Sequence, residues 1–472
     1  MAGVGEEAFG LIRQALPFPI GSLPLKYLGV PLITTKLKQG DCTDLVQKIS
    51  ARILSWTSKF LSYAGRTQLI QSVLLGIQNY WAGMFILPKS VINQVEMLMR
   101  RFLWSGGIDK SFGAKLSWEK VCSPKREGGL GLKKLDTLNT VLNLKHIWNL
   151  FSPHKESLWV KWVHAYMLKD KSFWAAKPPT KCSWYWKKLL KLRDIARPML
   201  KHRIGNGCGT FLWYDNWHPL GPLLDRFGQR VVYDAALSLT TKVSTIIEGD
   251  EWHWPLTNTL ELMEIREHMH LVPPPLSSSD SIRWVPSPNG RYSAYHTWAT
   301  IRTPGPTVPW YHLVWFKGHL PRHSIVVWFA ILKRLATHDR IALFTPGPLA
   351  CTLCHQGMES HDHLFFNCSY SSFVWQGIQQ SLGLAITTAS WDTLIAWAGN
   401  AWRRNNPGHV IPRIGLGTTV YSIWQERNAR TFKNEFKTKH RLLQDIHTQI
   451  LHQIQIKYRN DPHISLYTDQ WL

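Results

Sequence analysis

The chain has 472 residues, 44% of them apolar, with 55 Lys and Arg against 31 Asp and Glu and a formal charge of +24. That length accommodates two to four domains, no run of eighteen apolar residues offers a membrane span, and Met1–Glu7 has neither the basic flank nor the apolar core of a secretory signal. The charge points to a polyanionic partner, RNA or DNA foremost, with a merely basic surface as the compositional alternative. Seven cysteines, an odd number, without a secretory signal argue for a reducing, intracellular compartment, nucleus or cytoplasm.

Residues 1–22 read as a lead-in. Residues 43–104 carry three helical stripes: Leu45, Ile49, Ile53, Trp56 and Phe60; then Leu69, Val73, Ile77 and Tyr80; then Val91, Val95, Leu98 and Phe102. Apolar spacings of three and four bury one face of each helix, and short connections with Gly65 and Pro88 predict a compact three-helix bundle. Arg100 and Arg101, near the end of the third helix, suit its dipole and could also meet phosphate. The glycine-rich 127–134 lacks the Gly-Lys-Ser/Thr of a phosphate loop and reads as a turn into a helix around Leu138–Leu150.

Residues 161–210 hold twelve Lys/Arg against two Asp, interleaved with Trp162, Trp174, Trp184 and Trp186. Cations that neutralise phosphate beside aromatic faces that stack bases make a candidate nucleic-acid surface, centred on Trp184, Trp186, Lys187, Lys188, Lys191 and Arg193. An inward-packed helix with solvated lysines is the equal alternative. Residues 203–217 look like a β-hairpin turning at Asn206-Gly207, and Asp215, without a companion carboxylate, is expected to play a structural hydrogen-bonding role. Residues 231–280 contain eight Asp/Glu and two Lys/Arg and end in Pro273–Pro275 and Ser277–Ser279, the composition of a linker. A short strand pair is expected from Asp280–Trp284 to Gly290–Ser293. Helices are expected over much of 311–336 and in the basic tail at 414–432 and 438–458.

Cys351 and Cys354, then His363 and Cys368, place three of the seven cysteines within eighteen residues. Two thiols two residues apart bite one ion, and the second pair closes a short loop over it, the ligand chemistry of a closed tetrahedral zinc site. His363 is favoured over His361 because the apolar Leu364-Phe365-Phe366 follows it and can anchor it in a core. His355 is too close to Cys354. Asp362 reads as a solvated carboxylate rather than a partner of the ligating histidine. Four protein ligands leave no open position for a reacting water, so the zinc is expected to be structural.

Several blocks together resemble the C-terminal part of a plant non-LTR, LINE-type retrotransposon reverse transcriptase, in matching order over roughly residues 20–435. They are Leu23–Leu32, Trp56 with Leu61–Arg66, Lys125–Leu132, Ile204–Gly207, Trp213–Trp217, the Asp280/Trp284/Gly290/Tyr292 cluster, Cys351–Cys368 and Trp424–Arg430. The resemblance implies a thumb-like bundle (23–110), a basic Trp-rich connecting region (111–230), the acidic linker (231–280), a reverse-transcriptase zinc-binding domain (281–380) ligated by Cys351, Cys354, His363 and Cys368, and a helical basic region (381–472). The expected class is mainly α with small β-hairpins, α+β. The family's polymerase carboxylates form an aromatic-x-Asp-Asp motif upstream of the Leu23 block. This chain contains no Asp-Asp pair, and twenty-two residues precede that block, so a non-catalytic piece without the palm is expected. The acids after Cys368 do not form a ribonuclease H set, and no Gly-x-Ser-x-Gly elbow occurs.

Overall fold

The computed structural model describes the chain except residues 1–4, 17–22, 57–60, 109–112, 153–156, 181, 257–258, 385–389, 463 and 470–472. Phe60 and parts of the 1–22 lead-in lie outside the described residues. Helices dominate, with three two-stranded antiparallel sheets among the described residues, so the α-rich α+β class holds. No helix among the described residues is long and apolar enough to cross a membrane. The chain forms two compact units, each assembled from three segments: Met1–Ile49, Ile77–Val95 and Leu135–Thr303 in one, Ser50–Gly76, Glu96–Lys134 and Pro304–Leu472 in the other. The boundary therefore runs through the helices at 43–105, and those helices do not form a unit of their own.

Those helices are Thr43–Ser55, a run over 63–84, and Lys89–Ser105. Ser62 starts the second by accepting a hydrogen bond from the Gly65 N–H at 3.3 Å. The first and third stripes are buried as the spacing predicts, at Leu45, Ile49, Ile53 and at Val91, Val95, Leu98 and Phe102. The second is displaced by one residue: Ile70, Leu74, Gln78 and Trp81 are buried, whereas Leu69, Val73 and Ile77 are half-buried and Tyr80 is exposed. The offset is the same along the whole stripe, before and after the π-helical turn at Ile70–Leu74, so the buried face keeps the expected spacing one residue further on.

In the first unit, β1 (Leu25–Tyr27) and β2 (Val30–Leu32) form a hairpin whose turn puts Leu28 and Gly29 at positive φ. Further on, β3 (Leu200–Arg203) pairs with β6 (Ser281–Trp284) rather than with the residues beyond its own loop. This overturns two expectations at once. Residues 203–217 are not a hairpin, and 281–284 reaches 290–293 through a turn, in which the Trp284 N–H donates to the Gly290 carbonyl at 2.7 Å, rather than through a second strand. The glycine loop after β3 is gathered by Asp280, whose Oδ1 accepts the Gly205 and Gly207 N–H groups at 2.8 and 2.9 Å. Its Oδ2 accepts the Gly209 N–H at 3.0 Å and the Thr210 hydroxyl at 2.8 Å. Asp215 is buried and accepts from Trp174 Nε1 at 2.9 Å and the Phe211 N–H at 2.7 Å, the structural role its setting predicts.

The stretch 231–280 is folded rather than a linker. It holds β4 (Ile247–Glu248), β5 (Glu251–Trp252) and the helix Leu260–Glu267, and it supplies Val231, Val232, Val243, Ile246, Leu262 and Ile265 to a core around Trp213 and Trp217. Glu248, Asp250, Glu251 and Glu267 are exposed while these six apolar side chains are buried, so a charge count hides a core. Trp217 stacks on Trp252 with centroids 5.6 Å apart. A neighbouring core packs Leu144, Ile147 and Trp148 of the Leu135–Phe151 helix against Trp174, Trp186 and Trp284.

In the second unit, the Glu127–Lys134 turn is set by Gly129. A Cβ there would lie 2.0 Å from the Ser123 carbonyl oxygen and 2.5 Å from that of Lys120. Gly129→Ala is expected to lower stability by about 3 kcal/mol or more, since backbone must shift; a urea midpoint unchanged from wild type would contradict the contact. Helices Pro321–Ile331, Ser369–Ser381, Pro407–Lys433 and Lys439–Lys457 pack together here. Asn406 caps the third, its side chain accepting from the His409 N–H at 3.2 Å, and Asn434 ends it at φ 56. The fourth buries Leu442, Ile446, Ile450 and Ile454, one every turn, each stabilising by about 1.5–3 kcal/mol.

Burial holds the imidazoles of His218 and His323, one in each unit, down at about 4. The unfolded chain takes up these protons near the ordinary value of about 6.5, well before the folded chain does. Stability is therefore intact above about pH 6.5 and falls as pH drops toward 4, each histidine costing up to about 1.4 kcal/mol per pH unit. Urea midpoints at pH 7 and pH 5 check the sign: the lower pH should give the lower midpoint.

Candidate metal centre

The site begins as a tight turn. The Cys351 N–H donates to the Gly357 carbonyl at 3.0 Å and the His355 N–H to the Cys351 carbonyl at 2.8 Å. His355 (φ 56) and Gly357 (φ 70) take the left-handed backbone that folds the loop back. This brings the thiols of Cys351 and Cys354 to one side, and the Gln356 N–H donates to Cys354 Sγ at 3.4 Å.

The second ligand pair comes from an irregular helical turn. Residues His363–Asn367 are π-helical, and the Cys368 N–H closes the turn on the His363 carbonyl at 2.6 Å. That widened turn brings together two ligands five residues apart. Leu364, Phe365 and Phe366 are buried, with Phe366 stacked on Trp391 at 5.3 Å, so the apolar run anchors the turn as its sequence suggests. Cys368 is also the N-cap of the 13-residue helix Ser369–Ser381, where N–H groups and the helix dipole favour a thiolate.

One ligand atom each from Cys351, Cys354, His363 and Cys368 lies within 4.8 Å of every other. Cys351 Sγ is 3.9 Å from Cys368 Sγ, and Cys354 Sγ is 3.3 Å from His363 Nε2. A tetrahedron with metal–sulfur bonds of about 2.3 Å and metal–nitrogen bonds of about 2.0 Å has edges of roughly 3.5–3.8 Å. The donor set and its spacing therefore fit a zinc ion. The Cys351 thiol is pushed up by its hydrogen bond to Cys368 and by burial, while accepting that bond holds Cys368 down, so Cys368 is the thiol closer to the thiolate form a metal binds. Burial lowers His363, keeping its imidazole in the neutral form a ligand requires. His361 stands apart: it is buried, with Nδ1 3.4 Å from the Thr337 hydroxyl. His355 is exposed.

The ligand loop is fastened to the Pro407–Lys433 helix. Glu359, fully buried between the two ligand pairs, accepts from Arg427 Nη2 at 2.7 Å and Nε at 3.1 Å, and from the His338 N–H at 3.0 Å. Arg430 donates Nη1 to the Leu353 carbonyl, inside the Cys351–Cys354 turn, at 3.0 Å, and its Nε bonds Glu426 at 2.8 Å. The Trp424–Arg430 block thus braces the ligands. Glu359, Arg427 and Arg430 carry no metal-ligand signature, and the signal that could have found them is the charged run Glu426, Arg427 and Arg430 following the apolar stretch of their helix.

The predicted nucleic-acid residues at 184–193 are not one surface. Trp186 is core, and Trp184 is half-buried under the Lys188 ammonium, 5.3 Å from its centroid. Arg193 is spent on carbonyls, donating to Phe173, Trp174, Ala176 and Leu190 at 2.8–3.0 Å. This favours the inward-packed alternative for these three, because three buried carbonyls beside the aromatic cluster need a fork of donors. Lys187 and Lys191 are exposed. Arg100 and Arg101 are exposed too, the latter donating to the Ile108 carbonyl at 3.1 Å.

Residues 292–375 match the family described as zinc-binding in reverse transcriptase, a span that includes all four clustered ligands. A putative ribonuclease H protein of Arabidopsis thaliana is 27% identical over 368 residues, which cover 73% of this chain and 57% of that protein. An uncharacterized mitochondrial protein of the same plant is 27% identical over 150 residues, 30% of this chain and 96% of that protein. The chain thus spans little more than half the length of the first of these relatives. Residues 292–375 thus resemble the zinc-binding segment of reverse transcriptase in sequence, and a Cys₃His quartet able to hold a metal ion lies within them.

Proposed function

We propose that this chain is the zinc-bearing region of a plant LINE-type retrotransposon reverse transcriptase, holding RNA or DNA without transforming it. The observation that carries the reading is the closed quartet of Cys351, Cys354, His363 and Cys368 inside the matched segment. Bound zinc would supply folding free energy and no chemistry, since all four positions belong to protein side chains. The net charge of +24 supports a polyanion as partner, and the ribonuclease H name of a relative is in keeping with nucleic acid. A non-catalytic role rests on the absence of an Asp-Asp pair from the sequence.

Two measurements test this. Elemental analysis of purified protein should give one zinc per chain, and a chelator should lower the melting temperature. Filter binding to single-stranded RNA should weaken steeply between 50 and 200 mM salt, as counterion release demands. Metal without any binding at the lower salt would favour a protein-interaction module instead.

A further inference from the structure

The β3–β6 ribbon carries an arrangement that costs stability. Its inner face buries Leu200, His202 and Trp284. Its outer face places Lys201 directly opposite Arg283, with Arg203 on the same face, paired with Ser281. Like charges opposite one another in an antiparallel pair repel. Among the described residues no carboxylate forms an ion pair with Lys201, Arg203 or Arg283. Asp280, the acid beside β6, already accepts from four donors of the glycine loop. The Arg283 side chain is also held in place: it lies across Gly290, where a Cβ would come within 3.0 Å of Nε and 3.4 Å of Cγ.

The three cations border a groove of about 480 Å³, whose other walls include Trp217, Leu271, Val272 and Val285. Leu271 is 59% and Val285 56% exposed, an unusual pair of apolar side chains beside three charges. A groove of this size takes a ligand of roughly nucleotide dimensions. We propose that this ribbon and groove bind one single-stranded polynucleotide, its phosphates across Lys201, Arg203 and Arg283 and an unstacked base against the Leu271–Val285 wall. Phosphate relieves the repulsion that the free protein carries, and an apolar wall between cations has use for a strand whose bases are open, whereas a duplex hides them. The assignment rests on the nucleic-acid reading above and locates it.

The test uses the full chain and a labelled oligouridylate. Lys201→Thr/Arg283→Thr should weaken binding by about tenfold or more at low salt and reduce the salt slope by about one to two units. Its melting temperature should hold or rise, because threonine suits a strand and the repulsion is gone. Lys187→Thr/Lys191→Thr removes the same charge elsewhere in the unit and should weaken binding far less. Leu271→Asn should weaken binding with the salt slope unchanged, and a duplex of equal length should compete poorly. Equal binding by wild type and the ribbon variant, with both folded, overturns the surface while leaving the nucleic-acid reading intact. Equal losses from both double variants also overturn the surface, since charge alone would then be sensed. No binding by the wild-type chain removes both.

Discussion

Cys354→Ser should release zinc and loosen the ligand loop, with faster amide exchange over 349–368 and in the last turns of the Pro407–Lys433 helix. The helix is included because Arg430 grips the Leu353 carbonyl and Arg427 grips Glu359, so the loop and the helix end are one hydrogen-bonded body. Structural zinc contributes on the order of 10 kcal/mol to the folding of small metal-dependent modules. Here part of the turn survives on Phe365, Phe366 and Trp391, so several kcal/mol of local stability is the expected loss. The β3–β6 ribbon should keep its protection. Native exchange rates throughout 349–368 in the metal-free variant would show that the four side chains meet for packing alone.

Arg427→Met should be nearly as damaging. It leaves the Glu359 carboxylate buried without its cation, a change that costs about 3–5 kcal/mol. Removing both charges, as Glu359→Leu/Arg427→Met, should recover much of that loss. What remains is the lost acceptor of the His338 N–H, at about 1–3 kcal/mol, together with that of Thr352, whose hydroxyl bonds Glu359 Oε2 at 3.2 Å. Denaturant titration of the two single variants and the double closes the cycle. A double variant as unstable as Arg427→Met would mean that Glu359 serves mainly its neutral donors, His338 and Thr352.

The metal quartet was legible because its geometry is local: two ligands on one turn, two on the next, eighteen residues in all. The long helices were legible because their apolar spacing is local as well, and even the displaced stripe keeps its 4-4-3 spacing, one residue along. What distance along the chain conceals was misread. Asn206-Gly207 has the residues of a hairpin turn, yet Asp280, more than seventy positions away, decides the shape of that loop. The 231–280 stretch has the acids, prolines and serines of a linker, but Val231, Val232, Val243, Ile246, Leu262 and Ile265 tie it into a core. In the basic segment, Lys187 and Lys191 are where composition suggests, and Trp186 and Arg193 face the opposite way, into aromatic rings and carbonyls.

The pairing of β3 with β6 sets a schedule for synthesis. Leu200 and its partner Trp284 are separated by eighty-four positions in the chain. At about 5–20 residues per second, β3 leaves the ribosome roughly 4–17 s before its partner. During that wait its backbone edge has no ladder, and the glycines that follow have no carboxylate to gather them. An unpaired edge invites strand addition from other chains, so yield in a cell-free system should respond to holdase chaperones, and the nascent chain should become resistant to protease only after β6 emerges.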